Sequence, residues 1–213
     1  MEIRTLESYN NEAIADEAAA VLREGGIVVV PTDTVYGILA DAKNRAAIEK
    51  IFDVKKRQKK KALSIFVPTI AVARAYAYIS DAKARFLESV WPGQVTILFY
   101  HKEKLPKSLT SMTDKIAIRV PDYPFLSLLF KRFDAPLAQT SANMSGFPPA
   151  KNRAEIEAYF KEAEVAPDLV IDGGELYGKA STLIDFTLAR PRLLRTGLIS
   201  KSELDALLHS ISE

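Results

Sequence analysis

Apolar residues recur three and four positions apart in "NEAIADEAAAVLREGG", residues 11–26, and this spacing predicts an amphipathic helix. Asn10 or Asn11 stands where a cap is wanted, and Gly25 where the helix must stop. The run "IVVV" that follows reads as a buried strand ending at Pro31. Further helices are predicted at about residues 44–54, 81–90 and 124–133, and "NRAE" from Asn152 and "SKSE" from Ser200 carry the capping-box signature of helix starts. Strands are predicted at "LSIFV", "VTILFY", "KIAIRV", "PLAQTS", "DLVID", "STLIDF" and "PRLLR". Several of these are nearly continuous apolar runs, which implies burial on both faces, and the close succession of the last ones implies hairpins. The pattern predicts an α/β fold with a mixed sheet in a single domain spanning residues 1–213.

Composition narrows the classes without choosing a function. A chain of 213 residues, 48% hydrophobic and 26% charged, can bury a substantial core. Its 29 Lys and Arg against 27 Asp and Glu leave a net charge of +2, so no whole-molecule attraction to polyanions is expected. The absence of cysteine excludes disulfides, thiolate nucleophiles and thiolate metal sites. The first residues lack the apolar stretch of a signal peptide, and no apolar run approaches the roughly 20 residues of a membrane helix. These features predict a soluble, cytoplasmic protein. His101 and His209 are the only histidines, and no zinc-binding pair or G-x-S-x-G elbow occurs.

Three stretches and two further arginines carry candidate chemistry. "PTDTVYG", residues 31–37, places Thr32, Asp33, Thr34 and Tyr36 at the end of a buried strand; it reads equally as a ligand loop and as a turn satisfying its own amides. The run "DVKKRQKKKALS", residues 53–64, is either a solvated face or a phosphate grip. If the helix ends near Val54, extended chain would aim Lys55 and Arg57 the same way. "QTSANMSG", residues 139–146, offers Ser141 and Asn143 at a strand end, for a ligand or for a turn. Arg119 and Arg195 sit in strand-like segments and need partners if buried, whether protein carboxylates or a ligand. The near P-loop "GGELYGKAS", residues 173–181, has Ala180 in place of the magnesium-binding hydroxyl and runs into a predicted strand, so it is set aside.

Taken in order, "PTDTVYG", "KKR", "WPGQVTIL", "IRVP", "TSANMSG", "STLID" and "RTG" resemble the YrdC-like threonylcarbamoyl-AMP synthase family over about residues 10–200. The resemblance implies a twisted, mixed and largely parallel sheet flanked by helices around a concave basic cavity. It implies synthesis of threonylcarbamoyl-AMP and pyrophosphate from L-threonine, bicarbonate and ATP with Mg2+, without a protein-held metal. The product would pass to a threonylcarbamoyl transferase complex for tRNA modification, with RNA or tRNA as a further partner. Lys55, Arg57, Ser141 and Asn143 would be catalytic and, with Arg195, would hold ATP; Thr34, Arg119 and Ser181 would hold threonine. The chain departs from the family pattern at Gln58, Lys61, Phe66 and Thr196. The alternatives are an RNA-binding module of the same fold and a nucleotide-binding paralogue with altered or no synthase activity.

Overall fold

The computed structural model describes residues 1–197 and 199–209. Its first half runs β1 (Glu2–Thr5), α1 (Asn11–Arg23), β2 (Val28–Val30), β3 (Gly37–Asp41), α2 (Arg45–Lys55), β4 (Ser64–Phe66), α3 (Ile70–Tyr76), α4 (Asp81–Val90) and β5 (Val95–Tyr100). It continues with β6 (Lys115–Arg119), α5 (Pro124–Arg132), β7 (Leu137–Ser141), α6 (Arg153–Phe160), β8 (Leu169–Asp172), β9 (Thr182–Asp185), β10 (Arg192–Arg195) and α7 (Lys201–His209). None of the described helices is long and apolar enough to cross a membrane.

The helices form where spacing and caps placed them. Ile14, Ala15, Ala18, Ala19 and Leu22 make the buried stripe of α1, which Gly25 ends at φ +76°. Asn10 occupies the cap position but does not cap: its side chain is taken by the Glu7 amide and the Thr5 carbonyl. Asn44 caps α2 through the amides of Ala46 and Ala47, and Asn152 caps α6 through that of Glu155. At α7, Ser200 and Glu203 exchange side-chain and backbone bonds as a full capping box. Two strands and one helix were absent from the pattern reading: β1 is four residues at the edge, β3 opens on Gly37, and α3 has only seven residues.

The ten strands among the described residues join one sheet in the order β1-β8-β2-β3-β7-β4-β6-β5-β9-β10. The sheet is mixed, as expected, but it is not largely parallel. Four of its nine joins are parallel and five antiparallel. The difference arises because "PTDTVYG" is a hairpin connection, returning β2 directly into β3, and because β7 inserts antiparallel between β3 and β4.

Strand alternation then divides the two faces. Ile65, Ile97, Phe99, Ile116, Ile118, Ala138 and Ile184 point to one side and pack with α2, α4 and α6 into the main core. On the other side α1 and α5 cover Val28, Val30, Leu39, Phe66, Leu137 and Leu169. Beyond Phe66 that same face continues through Ser64, Ala117, Leu98 and Leu183, which line a cavity instead of meeting a helix. The site is thus the uncovered part of a sheet face whose other part is core.

Candidate functional site

This face bounds a cavity of about 680 Å3 whose lining includes Thr34, Arg57, Arg119, Ser141, Asn143, Ser181 and Arg195. Seven of the eight residues singled out from the sequence therefore converge there. The exception is Lys55.

Lys55 is 1% exposed and does not belong to the lining. The helix α2 continues one residue past the predicted exit at Val54, and Lys56 then turns the chain through a left-handed conformation at φ 49°. Lys55 and Arg57 consequently leave in different directions, correcting the expectation that extended chain would aim them together. The Lys55 ammonium donates to Ser141 O at 2.5 Å, Asn143 O at 2.7 Å and Asn143 Oδ1 at 2.9 Å, which uses all three of its N–H groups. Burial, reinforced by the Arg57 charge, pushes its pKa down to about 7. Lys55 ties the end of α2 to the loop after β7.

That loop is built inward as well. Asn143 Oδ1 accepts from Lys55 and from Ser141 Oγ at 2.6 Å, while its Nδ2 donates to Met144 O and Phe147 O. The amide side chain is saturated within the loop, and the Ser141 hydroxyl proton is spent on it. The cationic side chains in the cavity lining are Arg57, Arg119, Arg195 and Lys115, the last paired with Asp185 at 3.3 Å. Arg57 is held by the carbonyls of Lys61 at 3.1 Å and Ala62 at 2.9 Å. Arg195 is held by Ser181 O at 2.9 Å and Ser181 Oγ at 3.1 Å.

Arg195 reaches the cavity through an irregularity in the edge pairing. Leu193 lies opposite Ile184, yet Arg195 and not Leu194 lies opposite Leu183. This bulge puts one extra residue into β10 and aims the guanidinium onto the cavity face. Arg195 is an exposed edge residue, so the question of how it could be buried does not arise.

Arg119, by contrast, is 2% exposed. Its Nε donates to Gly93 O at 2.8 Å, Nη1 to Thr34 Oγ1 at 3.0 Å and Nη2 to Asp33 Oδ1 at 2.5 Å. Three of its five N–H groups are thereby fixed, leaving two. Phe66 does not enter the cavity; its ring lies 5.5 Å from the Arg119 guanidinium carbon and supports it from the buried side. Thr34 Oγ1 also meets Thr32 Oγ1 at 2.9 Å, and Ser181 Oγ meets Thr96 Oγ1 at 2.7 Å.

The loop carrying Thr34 is locked by its neighbours. Tyr36, buried and with its phenol pushed up by desolvation, donates to Gly174 O at 2.7 Å and accepts from Gly173 N at 3.0 Å. Gly178 then passes so close that a Cβ there would lie 1.8 Å from Thr34 O. The segment 173–181 is therefore a cover for the Thr34 loop that leads into β9, with no helix N-terminus for a phosphate.

Several cavity groups had no sequence signal strong enough to single them out. Ser64 Oγ donates to Gln139 Oε1 at 2.7 Å on the floor, beside apolar Leu98, Ala117 and Leu183. Asp33 was visible as a polar loop residue, but its pairing with Arg119, 86 positions away, was not. Of the rest of the basic run, Lys56, Lys60 and Lys61 are exposed and Lys59 pairs with Glu49. His101 is satisfied by Thr113 O and the Glu103 amide.

The family model described as telomere recombination, Sua5/YciO/YrdC, matches residues 20–197. Threonylcarbamoyl-AMP synthase of Bacillus subtilis (strain 168) is 35% identical over 207 residues, 96% of this chain and 59% of that protein. The human enzyme of the same name is 35% identical over 159 residues, 75% of this chain and 55% of that protein. Among solved structures, Pyrococcus abyssi Sua5 complexed with L-threonine superposes with a TM-score of 0.91 at 30% identity, over 97% of this chain and 61% of that one. Escherichia coli YciO, at 22% identity and a TM-score of 0.83, shares the fold. The chain spans less than two thirds of the length of the Bacillus, human and Pyrococcus proteins.

Proposed function

Because the chain belongs to the Sua5/YciO/YrdC family, we propose that it joins L-threonine, bicarbonate and ATP into threonylcarbamoyl-AMP with release of pyrophosphate. The observation that carries this reading is the convergence of Arg57, Arg119 and Arg195 on one hydroxyl-lined cavity. The curated relatives are named for that synthesis, and one structural relative holds L-threonine.

The residues divide into two ends. Arg119, with two N–H groups left, meets the threonine carboxylate, beside Thr34 and Ser181. Arg57 and Arg195 hold the phosphates of ATP, as cationic forks matched to phosphate oxygens. Ser141 and Asn143 shape that end from the β7 loop, and Lys55 acts on it through them. The carbamate oxygen of N-carboxylated threonine attacks the α-phosphorus, forming the new P–O bond as the bond to pyrophosphate breaks. Catalysis is then positioning and charge stabilisation, which needs no side-chain nucleophile.

Among the described residues no three His, Asp or Glu side chains gather to hold a metal ion, and Asp114 is the one carboxylate in the cavity lining. In this reading magnesium enters as part of the ATP substrate.

Incubation with ATP, L-threonine, bicarbonate and magnesium should yield threonylcarbamoyl-AMP and pyrophosphate, read by mass spectrometry and a pyrophosphate assay. Absence of both products, or undiminished turnover by Arg57→Ala, would overturn the reading. RNA affinity with a steep salt dependence and no turnover would instead favour a binding module.

A further inference from the structure

The three cavity guanidiniums differ in how their charge is balanced. Arg57 and Arg195 bond to carbonyl and hydroxyl oxygens, and among the described residues neither has a carboxylate within ion-pair distance. Arg119 is paired with Asp33 at 2.5 Å, with side chains 3% and 10% exposed. Asp33 is itself fixed: its Oδ2 accepts from the Asp122 amide at 3.3 Å, and its backbone carbonyl accepts from Gln94 Nε2 at 2.5 Å. It does not line the cavity, so any effect it has on a ligand is exerted through Arg119.

The Arg119 guanidinium therefore offers oriented donors whose charge Asp33 offsets, with Arg195 meeting this end through Ser181. Zwitterionic threonine suits such a site, because its carboxylate gains hydrogen bonds and its own ammonium completes the balance. A phosphate does not suit it, since about two negative charges would be desolvated beside the Asp33 carboxylate. The Arg57 and Arg195 charges have no such counterweight and favour the polyanion.

We propose that Asp33 is a specificity-determining positioning residue that closes the Arg119 end to phosphate, so that the threonine carboxylate and the ATP phosphates do not compete for one guanidinium. The proposal rests on the assignment of threonine to Arg119 made above. It is tested by calorimetric titration of L-threonine, with and without millimolar inorganic phosphate, into the wild-type chain, Asp33→Asn and Asp33→Glu. The Asn variant keeps the Oδ1 acceptor and removes the charge; Glu keeps the charge. Phosphate should leave wild-type and Asp33→Glu affinity for threonine within about twofold and weaken that of Asp33→Asn on the order of tenfold. Thermal melting should show phosphate raising the midpoint of Asp33→Asn more than that of the wild type, a readout available even if the variant is too unstable to titrate. Phosphate competing with threonine in the wild type, or equal phosphate responses of Asp33→Asn and the wild type in titration and melting, would overturn the sorting role. A wild-type chain that binds no threonine would instead refute the proposed function on which it rests.

Discussion

Replacing Lys55 by Met tests whether this lysine serves the loop or the ligand. Met has similar length but supplies no donor, so Ser141 O, Asn143 O and Asn143 Oδ1 all lose the ammonium. A buried acceptor left without a partner costs about 1–3 kcal/mol. Three such losses are offset by no longer burying an amine that has only neutral acceptors around it, and by the partners Asn143 Oδ1 retains in Ser141. A net destabilisation of about 2–4 kcal/mol follows, or a fall in Tm of about 4–16 °C for a chain of this size. Urea and thermal unfolding followed by circular dichroism measure it directly.

The sign of the pH dependence is fixed by the same burial. The folded amine titrates near pH 7, below the roughly 10.4 of an unfolded lysine. Between those values the unfolded chain binds the extra proton, so the wild type gains stability as pH rises, by at most about 1.4 kcal/mol per unit. Below the folded value both states are protonated and the contribution is flat. The stability gap between wild type and Lys55→Met should therefore widen from pH 7 to pH 9. A variant as stable as the wild type that nonetheless loses ATP binding, or a gap that closes with rising pH, would refute the reasoning. The first result would return Lys55 to the phosphate.

Gly178→Ala places a Cβ against Thr34 O, so it should cost at least about 1–3 kcal/mol in urea unfolding and displace the Thr34 loop, weakening threonine binding. Arg195→Ala should weaken ATP by about 10- to 100-fold in calorimetry, whereas Leu194→Ala, its neighbour on the other side of the bulge, should leave ATP affinity unchanged. Although burial alone would raise the Asp185 carboxyl, hydrogen bonds from Thr187 and Lys115 hold it below the ordinary range. Asp185→Asn should thus lose about 1–3 kcal/mol at neutral pH, with the difference from wild type vanishing as pH falls through the folded Asp185 pKa, followed by unfolding in a series from pH 7 downward.

Much of the architecture was legible because it is encoded locally. Apolar spacing over 11–26 and the caps at Asn44, Asn152 and Ser200 are properties of neighbouring residues, and those helices appear where expected. The strands with long apolar runs appear too. Their pairing was less legible: whether β7 lies antiparallel between β3 and β4 depends on partners far apart in the chain, and this lowered the parallel share of the sheet. The motif order over residues 10–200 named seven residues of the cavity lining, together with Lys55, which does not line it.

The sequence by itself determined the helix stripes, the α/β class and seven of the residues gathered at the cavity, because periodicity, caps and motif order are written in consecutive positions. Only the tertiary structure decided what each of those residues does. One more residue of helix in α2 sends Lys55 away from Arg57 and into the β7 loop. A bulge between β9 and β10 chooses Arg195 over Leu194 for the cavity. Asp33 neutralises Arg119 across 86 positions. In each case the outcome is set by register and approach between distant segments, where a shift of one residue reverses the direction of a side chain.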